Sequence, residues 1–345
     1  MTSTEASPRL AGSGTPKAKR GFRLPVETGV VIVLAILVGL LGWLQRPFVE
    51  PANLMALLQQ AALPGIVAVG MVFVLAIREI DLSVGAVFHL AAIVAALLMT
   101  AGIDPWLSAL AGVVLGAAIG VVNGALALAL RVPVIAVTLG TWWAIDGLSL
   151  VIGKGQGVAP APVSDSNVFH VLSGKAFGTF PASVVIFILL ALGLQLVLHR
   201  TRFGYRVQAT GSNPEAAAHA GIATGKVRLT VLAVMGAIAG FAGIIHLGAQ
   251  GSVVPADGNG FVLLAIAAAL FGGTRLSGGH GSAIGAAIGA LLVQVVLSGM
   301  ALVGVDAAWT SCAVGSLLVL ALAADWLGRI WRGRRAERRQ AGQRG

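Results

Sequence analysis

The sequence has few residues of the kinds that cover or cross-link soluble proteins. Of its 345 residues only 10% are charged, one is a tyrosine, and one, Cys312, is a cysteine. A single cysteine excludes an intrachain disulfide and a cysteine metal site. With 57% hydrophobic residues and a mean hydropathy of +0.92, too little polar surface remains to cover a soluble globule. The composition predicts a membrane protein, with Cys312 as a small core residue.

Sequence patterns of enzymes are also missing. There is no Gly-x-x-x-x-Gly-Lys-Ser/Thr segment to cradle phosphates, no Gly-x-Ser-x-Gly elbow, and no metal-ligand spacing. We therefore expect no cofactor, metal or ATP hydrolysis in this chain. Asp146 is the only acid near the middle of a predicted helix, whereas ion-coupled carriers more often contain several intramembrane carboxylates or a charge pair. The sequence favours a conduit powered by another subunit and leaves a secondary carrier as an alternative.

What the sequence does contain is a series of apolar runs of about 20 residues, the length that a helix needs to cross the hydrocarbon layer. An all-α, polytopic fold with ten transmembrane helices follows. The runs lie at approximately 27–45, 53–77, 82–100, 105–130, 133–153, 181–199, 228–249, 260–273, 282–300 and 308–327. The eighth is short, and it fits only if its helix tilts little or begins within the preceding loop.

Basic residues predict the orientation of these helices, because Lys and Arg near membrane segments stay on the cytoplasmic side. With both termini inside, 20 of the 23 basic residues are cytoplasmic, and only Arg46, Lys154 and Lys175 are outside. The formal charge of +10 is dispersed over loops and tails. This dispersion favours contact with anionic lipid over nucleic acid.

The same pattern divides the chain into three parts. Residues 1–25 are expected to form a disordered basic cytoplasmic tail, residues 26–328 the membrane domain, and residues 329–345 a second basic cytoplasmic tail. Glycines recur every four residues within the membrane domain, which predicts helix faces that pack closely against other helices of the same chain. A subunit interface is the alternative for these faces. The sets are Gly116, Gly120 and Gly124; Gly281, Gly285 and Gly289; and Gly236 with Gly240.

The longest predicted cytoplasmic loop, residues 199–228, is expected to be ordered. Ser212 or Asn213 can cap a helix that has Pro214 at its first position and ends at Gly221. A short helix of small alanines lying along the membrane surface is suited to docking against another protein.

Three charges in "REIDLSVGAV", residues 78–87, separate two apolar runs. The predicted topology places Arg78 at a cytoplasmic turn. Either Asp81 or Ser83 can cap the helix that follows, because negative charge is favoured at a helix N-terminus.

Four segments together resemble the permease subunits of bacterial ATP-binding-cassette importers of the ribose, xylose, arabinose and galactoside group. They are "IDLSVG" at 80–85, "RVPVIAVTLGTWWAIDGL" at 131–148, "GYRVQATGSNPEAAAHAGI" at 204–222 and "LFGGTRLSGGHGSAIGAAIGALL" at 270–292. The resemblance covers roughly residues 50 to 325.

The resemblance implies roles for two sets of residues. The first set is the ATPase-coupling helix, with Gly211, Asn213, Pro214, Glu215, Ala216, Ala217 and Gly221; it lies in the loop at 199–228, which we call the coupling loop. The second is a signature turn, with Glu79, Asp81, Ser83 and Gly85. Members of this group commonly have glycine at the position of Glu79, so this chain departs from the pattern there.

The resemblance also implies the partners and the location. The expected assembly contains a second permease copy, identical or different, an ATPase subunit that holds ATP and Mg²⁺, and an extracytoplasmic sugar-binding protein, all at the bacterial inner membrane. The implied function is the import of a monosaccharide. Import of nucleosides or branched-chain amino acids, and an ion-coupled carrier, are the alternatives.

Polar and aromatic side chains inside predicted helices are candidates for the substrate pathway, since a sugar needs hydrogen-bond partners and flat apolar surfaces. They are Asn123, Thr138, Thr141, Trp142, Trp143, Asp146 and Gln294. The alternative is that the Asn and Thr side chains bond a neighbouring helix and that Trp142 and Trp143 only pack.

Overall fold

A computed structural model describes residues 27–160, 167–176, 178 and 180–341. The predicted tail at 1–25 lies outside the described residues. The helices are α1 (Thr28–Leu44), α2 (Pro51–Ala76), α3 (Val84–Thr100), α4 (Pro105–Leu130), α5 (Val134–Ile152), α6 (Asn167–Ser173), α7 (Ala182–Arg200), α8 (Arg202–Ser212), α9 (Pro214–His219), α10 (Thr224–Gln250), α11 (Asn259–Phe271), α12 (Ala283–Leu302) and α13 (Thr310–Ala341).

The fold is an all-α bundle, and each of the ten apolar runs lies on one of its helices. Within the described residues, seven helices are long and apolar enough to cross a membrane: α2, α4, α5, α7, α10, α12 and the first 18 residues of α13. The other three runs form shorter apolar helices, α1, α3 and α11. The helical class is therefore confirmed, together with seven helices that satisfy the length criterion.

Helix α2 forms the centre of the bundle, and its residues 64–76 are buried on all sides. Helix α10 packs against α4, α3 and α2, while α12 packs against α2 and α11. Helix α1 contacts α12 at the periphery. The interior is thus built from α2, α3 and α10, and the outward faces of α4, α5 and α7 remain apolar and exposed, as lipid-facing surfaces require.

Glycine faces bring the helix backbones together, as the sequence predicts. A methyl group added at Gly120 would overlap the carbonyl oxygen of Leu232, and one at Gly236 would overlap the carbonyl oxygen of Gly116. On the other side of the bundle, a methyl group at Gly289 would overlap the carbonyl oxygen of Ala268. The prediction that these glycines pack inside the subunit is confirmed.

Helix α11 is short because the chain between α10 and α11 turns back into the bundle. Gly258, at the end of this loop, packs so closely against Gly85 that neither position has room for a side chain. The loop is held farther out by a two-way backbone hydrogen-bond pair between Val253 and Val158. Helix α11 therefore begins beside the start of α3, which agrees with the prediction that it starts within the loop.

Two features differ from the sequence-based expectations. Cys312 is exposed on α13 and not part of the core, because α13 has few neighbours along its first turns. A two-stranded hairpin, β1 (Lys175–Ala176) and β2 (Phe180–Pro181), and the short helix α6 lie between α5 and α7, where apolar runs give no signal.

Candidate functional site

The signature turn connects α2 to α3 and is buried. Asp81 is 2% exposed, and its Oδ1 atom accepts hydrogen bonds from the Ser83 N–H at 2.9 Å and the Ser83 hydroxyl at 2.6 Å. The Asn123 side chain on α4 donates to the Ser83 hydroxyl oxygen at 2.9 Å. Burial raises the pKa of the Asp81 carboxyl above its usual value, although the bonds from Ser83 oppose this rise.

The predicted cap of α3 is wrong in its details. Ser83 is the N-cap residue, but its side chain makes no capping hydrogen bond. The Ser83 hydroxyl is instead engaged by Asp81 and Asn123. The two polar residues stabilise the turn itself and tie it to α4.

Glu79 joins the signature turn to two other elements. Its Oε1 atom lies 3.1 Å from the Arg228 guanidinium near the start of α10, and its Oε2 atom accepts the Val134 N–H at the start of α5 at 3.3 Å. Burial raises the pKa of Glu79, and the positive charge of Arg228 and the Val134 N–H oppose the rise. Glu79 thus links the turn to both α5 and α10, and a glycine at this position could make neither contact.

Backbone contacts complete the junction of the turn with α5. The Leu82 N–H donates to the Thr138 hydroxyl oxygen at 3.1 Å. Thr138 is fully buried and also donates to the carbonyl oxygen of Ile135 at 3.3 Å. The "RVPV" segment is therefore held to the turn by Glu79 at Val134 and by Leu82 at Thr138.

The coupling loop and the "GGTRLSGGHGS" segment reach the same turn from the other side. The Arg78 guanidinium donates to the carbonyl oxygen of Ser212, and the Gly279 N–H donates to the carbonyl oxygen of Ala76 at 2.8 Å. Gly211 lies so close to both Ala76 and Gly279 that only glycine fits. All four segments that carry the family resemblance thus meet around residues 76–85.

The coupling loop is ordered, and it contains more helix than predicted. The Asn213 side chain caps α9 by accepting the N–H groups of Glu215 and Ala216, both at 3.1 Å. Pro214 begins the helix, and Gly221 follows it at φ 81°, a conformation that favours glycine. Of the two predicted caps, Asn213 is the one observed.

Helix α9 presents one face to the bundle and one to its surroundings. Ala217 is buried, whereas Glu215 and Ala216 are exposed. Helix α8, which precedes it, was missed because its apolar residues are too few for an apolar run. Its buried residues Gly204, Val207, Thr210 and Gly211 follow a helical period, and that period is the signal that could have revealed it.

A basic cleft lies beside α9. It has a volume of about 660 Å³ and is lined by Arg200, Arg202 and Arg206 together with Tyr205 and the 220–222 turn. Tyr205 is 71% exposed, which leaves a large aromatic side chain next to three arginines. Aromatic and arginine side chains are the types most enriched at the centres of protein interfaces.

A polar cluster lies deeper in the bundle, where α3, α5 and α11 meet. Asp146 accepts hydrogen bonds from the Trp142 indole N–H at 3.0 Å and from the Asn259 amide at 2.9 Å. The Nε2 atom of the fully buried His89 lies 3.1 Å from the other Asp146 oxygen. Sequence reasoning missed His89 and Asn259, since each is one polar residue in an apolar context whose partner is distant in sequence.

The predicted pathway residues do not form one site. Trp142 and Asp146 belong to the polar cluster, while Asn123 and Thr138 are fully buried in the network of the signature turn. Thr141 donates to the carbonyl oxygen of Thr138 on its own helix at 3.2 Å, and Trp143 is 73% exposed on the outer face of α5. Gln294 lies apart from these residues and donates to the Gln60 side chain at 2.8 Å.

Comparisons with known proteins support the family resemblance that the four segments carry. Residues 53–322 match the family described as branched-chain amino acid transport system / permease component. The chain is 31% identical to the fructose import permease protein of Rhizobium meliloti, over 89% of this chain and 87% of that protein. It is 33% identical to the ribose import permease protein of Escherichia coli strain K12, over 87% of this chain and 94% of that protein.

A third relative extends the match nearly to full length. The L-arabinose ABC transporter permease protein of Azospirillum brasilense is 31% identical over 94% of this chain and 95% of its own length. No solved structure matches the chain significantly. The similarity therefore covers the bundle and the signature turn together with the coupling loop.

Proposed function

The chain belongs to the branched-chain amino acid transport system / permease component family, and from this premise we infer that it is the membrane permease of an ATP-binding-cassette importer for a monosaccharide. Fructose, ribose and L-arabinose are the substrates in the names of the relatives above. All three are monosaccharides, which favours a sugar over a nucleoside or a branched-chain amino acid. The observation that carries the proposal is the convergence of all four family segments on the signature turn.

The geometry supports separate roles for these segments: docking of the ATPase at α9 and transmission of movement through the signature turn. Helix α9 and the adjacent basic cleft face outward from the bundle, which suits a docking surface for the ATPase subunit. The end of α8 is fixed to the signature turn through Arg78 and Gly211, and the turn is fixed to α5 through Glu79 and Leu82. Movement imposed on α9 by ATP binding would reach α5 along this chain of contacts.

The finer architecture follows the distribution of charge. The ten apolar helices cross the bacterial inner membrane with both termini in the cytoplasm, so that the coupling loop faces the ATPase and 20 of the 23 basic residues are inside. The assembly contains a second permease copy, the ATPase subunit and an extracytoplasmic binding protein. Exposed arginines at the cytoplasmic face contact anionic lipid.

One observation favours a second candidate, an ion-coupled carrier. The His89 and Asp146 pair is the kind of buried titratable pair that proton relays use. Trp142 and Asn259 both donate to the Asp146 oxygen that faces away from His89, so two neutral partners also hold this carboxylate, which suits a structural role.

Uptake of labelled sugars by cells that express the complete system tests the proposal. D-ribose, D-fructose and L-arabinose are supplied one at a time, with L-leucine and uridine as the rival substrates. We expect uptake of at least one sugar that stops when ATP is depleted and persists when the proton gradient is dissipated at constant ATP. Uptake that depends on the gradient would support the carrier, and uptake of leucine or uridine alone would overturn the assignment to sugar.

A further inference from the structure

A cleft of about 360 Å³ opens between five helices of the bundle. It is enclosed by the first half of α2, the start of α7, the end of α10, the start of α11 and the middle of α12. In the topology proposed above, the portions of α2, α7 and α10 belong to the extracytoplasmic half of the membrane, while the start of α11 and the middle of α12 lie deeper. The volume is within the range of about 300–1,000 Å³ that small-molecule sites occupy.

The polar groups in this cleft are mainly carboxamides. Gln59 and Gln60 on α2, Gln250 at the end of α10 and Gln294 on α12 all line it. Four glutamines at membrane depth are costly to bury in lipid unless they bind one another or a polar ligand. The Gln294 amide donates to the Gln60 carbonyl oxygen at 2.8 Å, and an amide has two donor hydrogens and two acceptor lone pairs, so this bond uses only part of the capacity of each side chain.

The remaining wall is apolar and aromatic. Phe261 lines the cleft with Leu63 and Pro64. Its ring forms a cluster with Phe88 and His246, with centroids 5.1 Å and 6.5 Å from that of Phe261, respectively. His246 is fixed on its other side by Asp257, whose carboxylate oxygen lies 3.4 Å from the ring nitrogen. The residues that line the cleft include no carboxylate, lysine or arginine.

This combination specifies the class of ligand. Amides donate and accept hydrogen bonds without charge, which matches hydroxyl groups that do the same. A ring such as that of Phe261 matches the apolar C–H face of a pyranose or furanose. The lining has no carboxylate, lysine or arginine to compensate a charged substrate, and its one titratable side chain, His246, is already paired with Asp257, so burying a charge there would carry a high cost in free energy.

The cleft continues toward the end of α12. A second cleft of about 480 Å³ shares Gln60 and Gln294 with the first and extends past Ser298 to Leu302, the last residue of α12. The Gln60 and Gln294 pair therefore lies between an inner chamber and an outer opening. A ligand that moves from one cleft to the other must break the bond between these two amides and replace it with hydrogen bonds from its own hydroxyl groups.

We propose that the amide-lined cleft between α2, α10, α11 and α12 is the extracytoplasmic sugar site of this permease, with the Gln60 and Gln294 pair at its entrance. The inference rests on the proposed function, because it assigns the site at which the imported sugar first enters the membrane domain. Gln294 alone was a candidate from the sequence; Gln59, Gln60, Gln250 and Phe261 come from the structure.

Substitutions in the paired amides test the site. Gln60→Leu and Gln294→Leu keep the approximate volume and remove the hydrogen bonds, and Gln156→Leu changes an exposed glutamine in the loop after α5 as the matched control. We expect the apparent KM for uptake of the transported sugar to rise about tenfold in the two cleft variants, the equivalent of one or two lost hydrogen bonds. The control should stay within about twofold of the wild type.

A protection experiment covers the case in which a leucine variant does not fold. Replacing Cys312 with serine removes the only cysteine of the chain, after which Gln294→Cys and Gln156→Cys each provide a single reactive thiol. The rate of modification by a small methanethiosulfonate reagent is measured in cells with the complete system, with and without saturating transported sugar. We expect the sugar to slow modification at position 294 severalfold and to leave position 156 unchanged.

The outcomes separate the two proposals. If wild-type cells take up leucine or uridine and none of the sugars, the proposed function fails. If they take up a sugar while Gln60→Leu and Gln294→Leu retain the wild-type KM, or while sugar gives no protection at position 294, the site is wrong and the function stands.

Discussion

Glu79 shows how one residue can join elements that are distant in sequence. The sequence identifies it as a departure from the glycine of related motifs but gives no indication of its partners, because Arg228 and Val134 are 149 and 55 residues away. A contact of this kind depends on the packing of α5 and α10 around the turn. Local patterns therefore predict that Glu79 is unusual and cannot predict what it binds.

Replacing Glu79 tests the strength of this link. Glu79→Ala leaves Arg228 and the Val134 N–H without their carboxylate, so we expect a loss of about 1–3 kcal/mol in the free energy of unfolding. Glu50→Ala is the control, since Glu50 is exposed and makes no side-chain capping bond, and it should change stability by less than about 0.5 kcal/mol. Thermal unfolding of the purified proteins in detergent gives both values; equal melting temperatures would show that the link adds no stability.

Asp81 should make stability depend on pH. Burial raises its pKa, so the folded protein retains the proton to a higher pH than the unfolded chain, whose value is about 3.9. The contribution of this carboxyl to stability is complete below the unfolded pKa and is lost as pH rises through the folded pKa. Asp81→Asn keeps an acceptor oxygen for Ser83 and removes the titration.

The measurement is the difference in melting temperature between the wild type and Asp81→Asn, taken at two pH values. As the pH falls from about 7 toward the unfolded pKa of about 3.9, we expect the wild type to gain stability relative to Asp81→Asn. A difference that does not change with pH would contradict the raised pKa. Uptake by the variant at the higher pH also separates a structural role from a role in transport, because loss of uptake at unchanged stability indicates the latter.

At the scale of elements, hydropathy locates the long helices and fails for the short ones. All ten apolar runs lie on helices because an apolar stretch of that length has few alternatives in a membrane. Helix α8 produces no apolar run because it is amphipathic. Helix α6 and the β1–β2 hairpin produce none because they are too short. The length of α11 follows from the close contact of Gly258 with Gly85. Hydropathy cannot predict this contact, because it depends on how the helices pack.

The contact of α4 with α10 is tested by adding one methyl group. Gly236→Ala places a carbon atom against the carbonyl oxygen of Gly116, and the helices must separate, which we expect to cost about 1–3 kcal/mol. Gly193→Ala on α7 adds the same group where no atom lies within 4 Å, and it should be neutral. Thermal unfolding compares the two, and equal stability of both variants would contradict the packing described for α4 and α10.

At the scale of the whole molecule, charge gives an orientation that the fold alone does not. Single cysteines in a Cys312→Ser background can report it from intact cells. We expect a membrane-impermeant maleimide to label Gln156→Cys from outside and to label Ala218→Cys only after the membrane is opened, because both positions are exposed and they are predicted to face opposite sides. Labelling of position 218 in intact cells would reverse the topology.

The family segments predicted the coupling helix and the signature turn as separate motifs, and their meeting around residues 76–85 came only from the structure. The sequence does not predict the amide-lined cleft either, because its glutamines come from three helices. Only Gln294 was a candidate from the sequence, as a polar residue in an apolar run. The sequence thus indicates the transporter family to which this chain belongs. The contacts between its parts depend on tertiary packing.

The central claim is that α9 connects this permease to an ATPase. Affinity purification of the tagged permease in mild detergent, co-expressed with the ATPase subunit of the same system, tests it for the wild type, for Glu215→Lys and for the control Glu50→Lys. We predict that the ATPase is retained by the wild type and by Glu50→Lys and is lost from folded Glu215→Lys, since the substitution reverses the charge on the exposed face of α9. Retention of the ATPase by Glu215→Lys would contradict docking at α9, and absence of the ATPase from the folded wild type would contradict an ATP-driven importer.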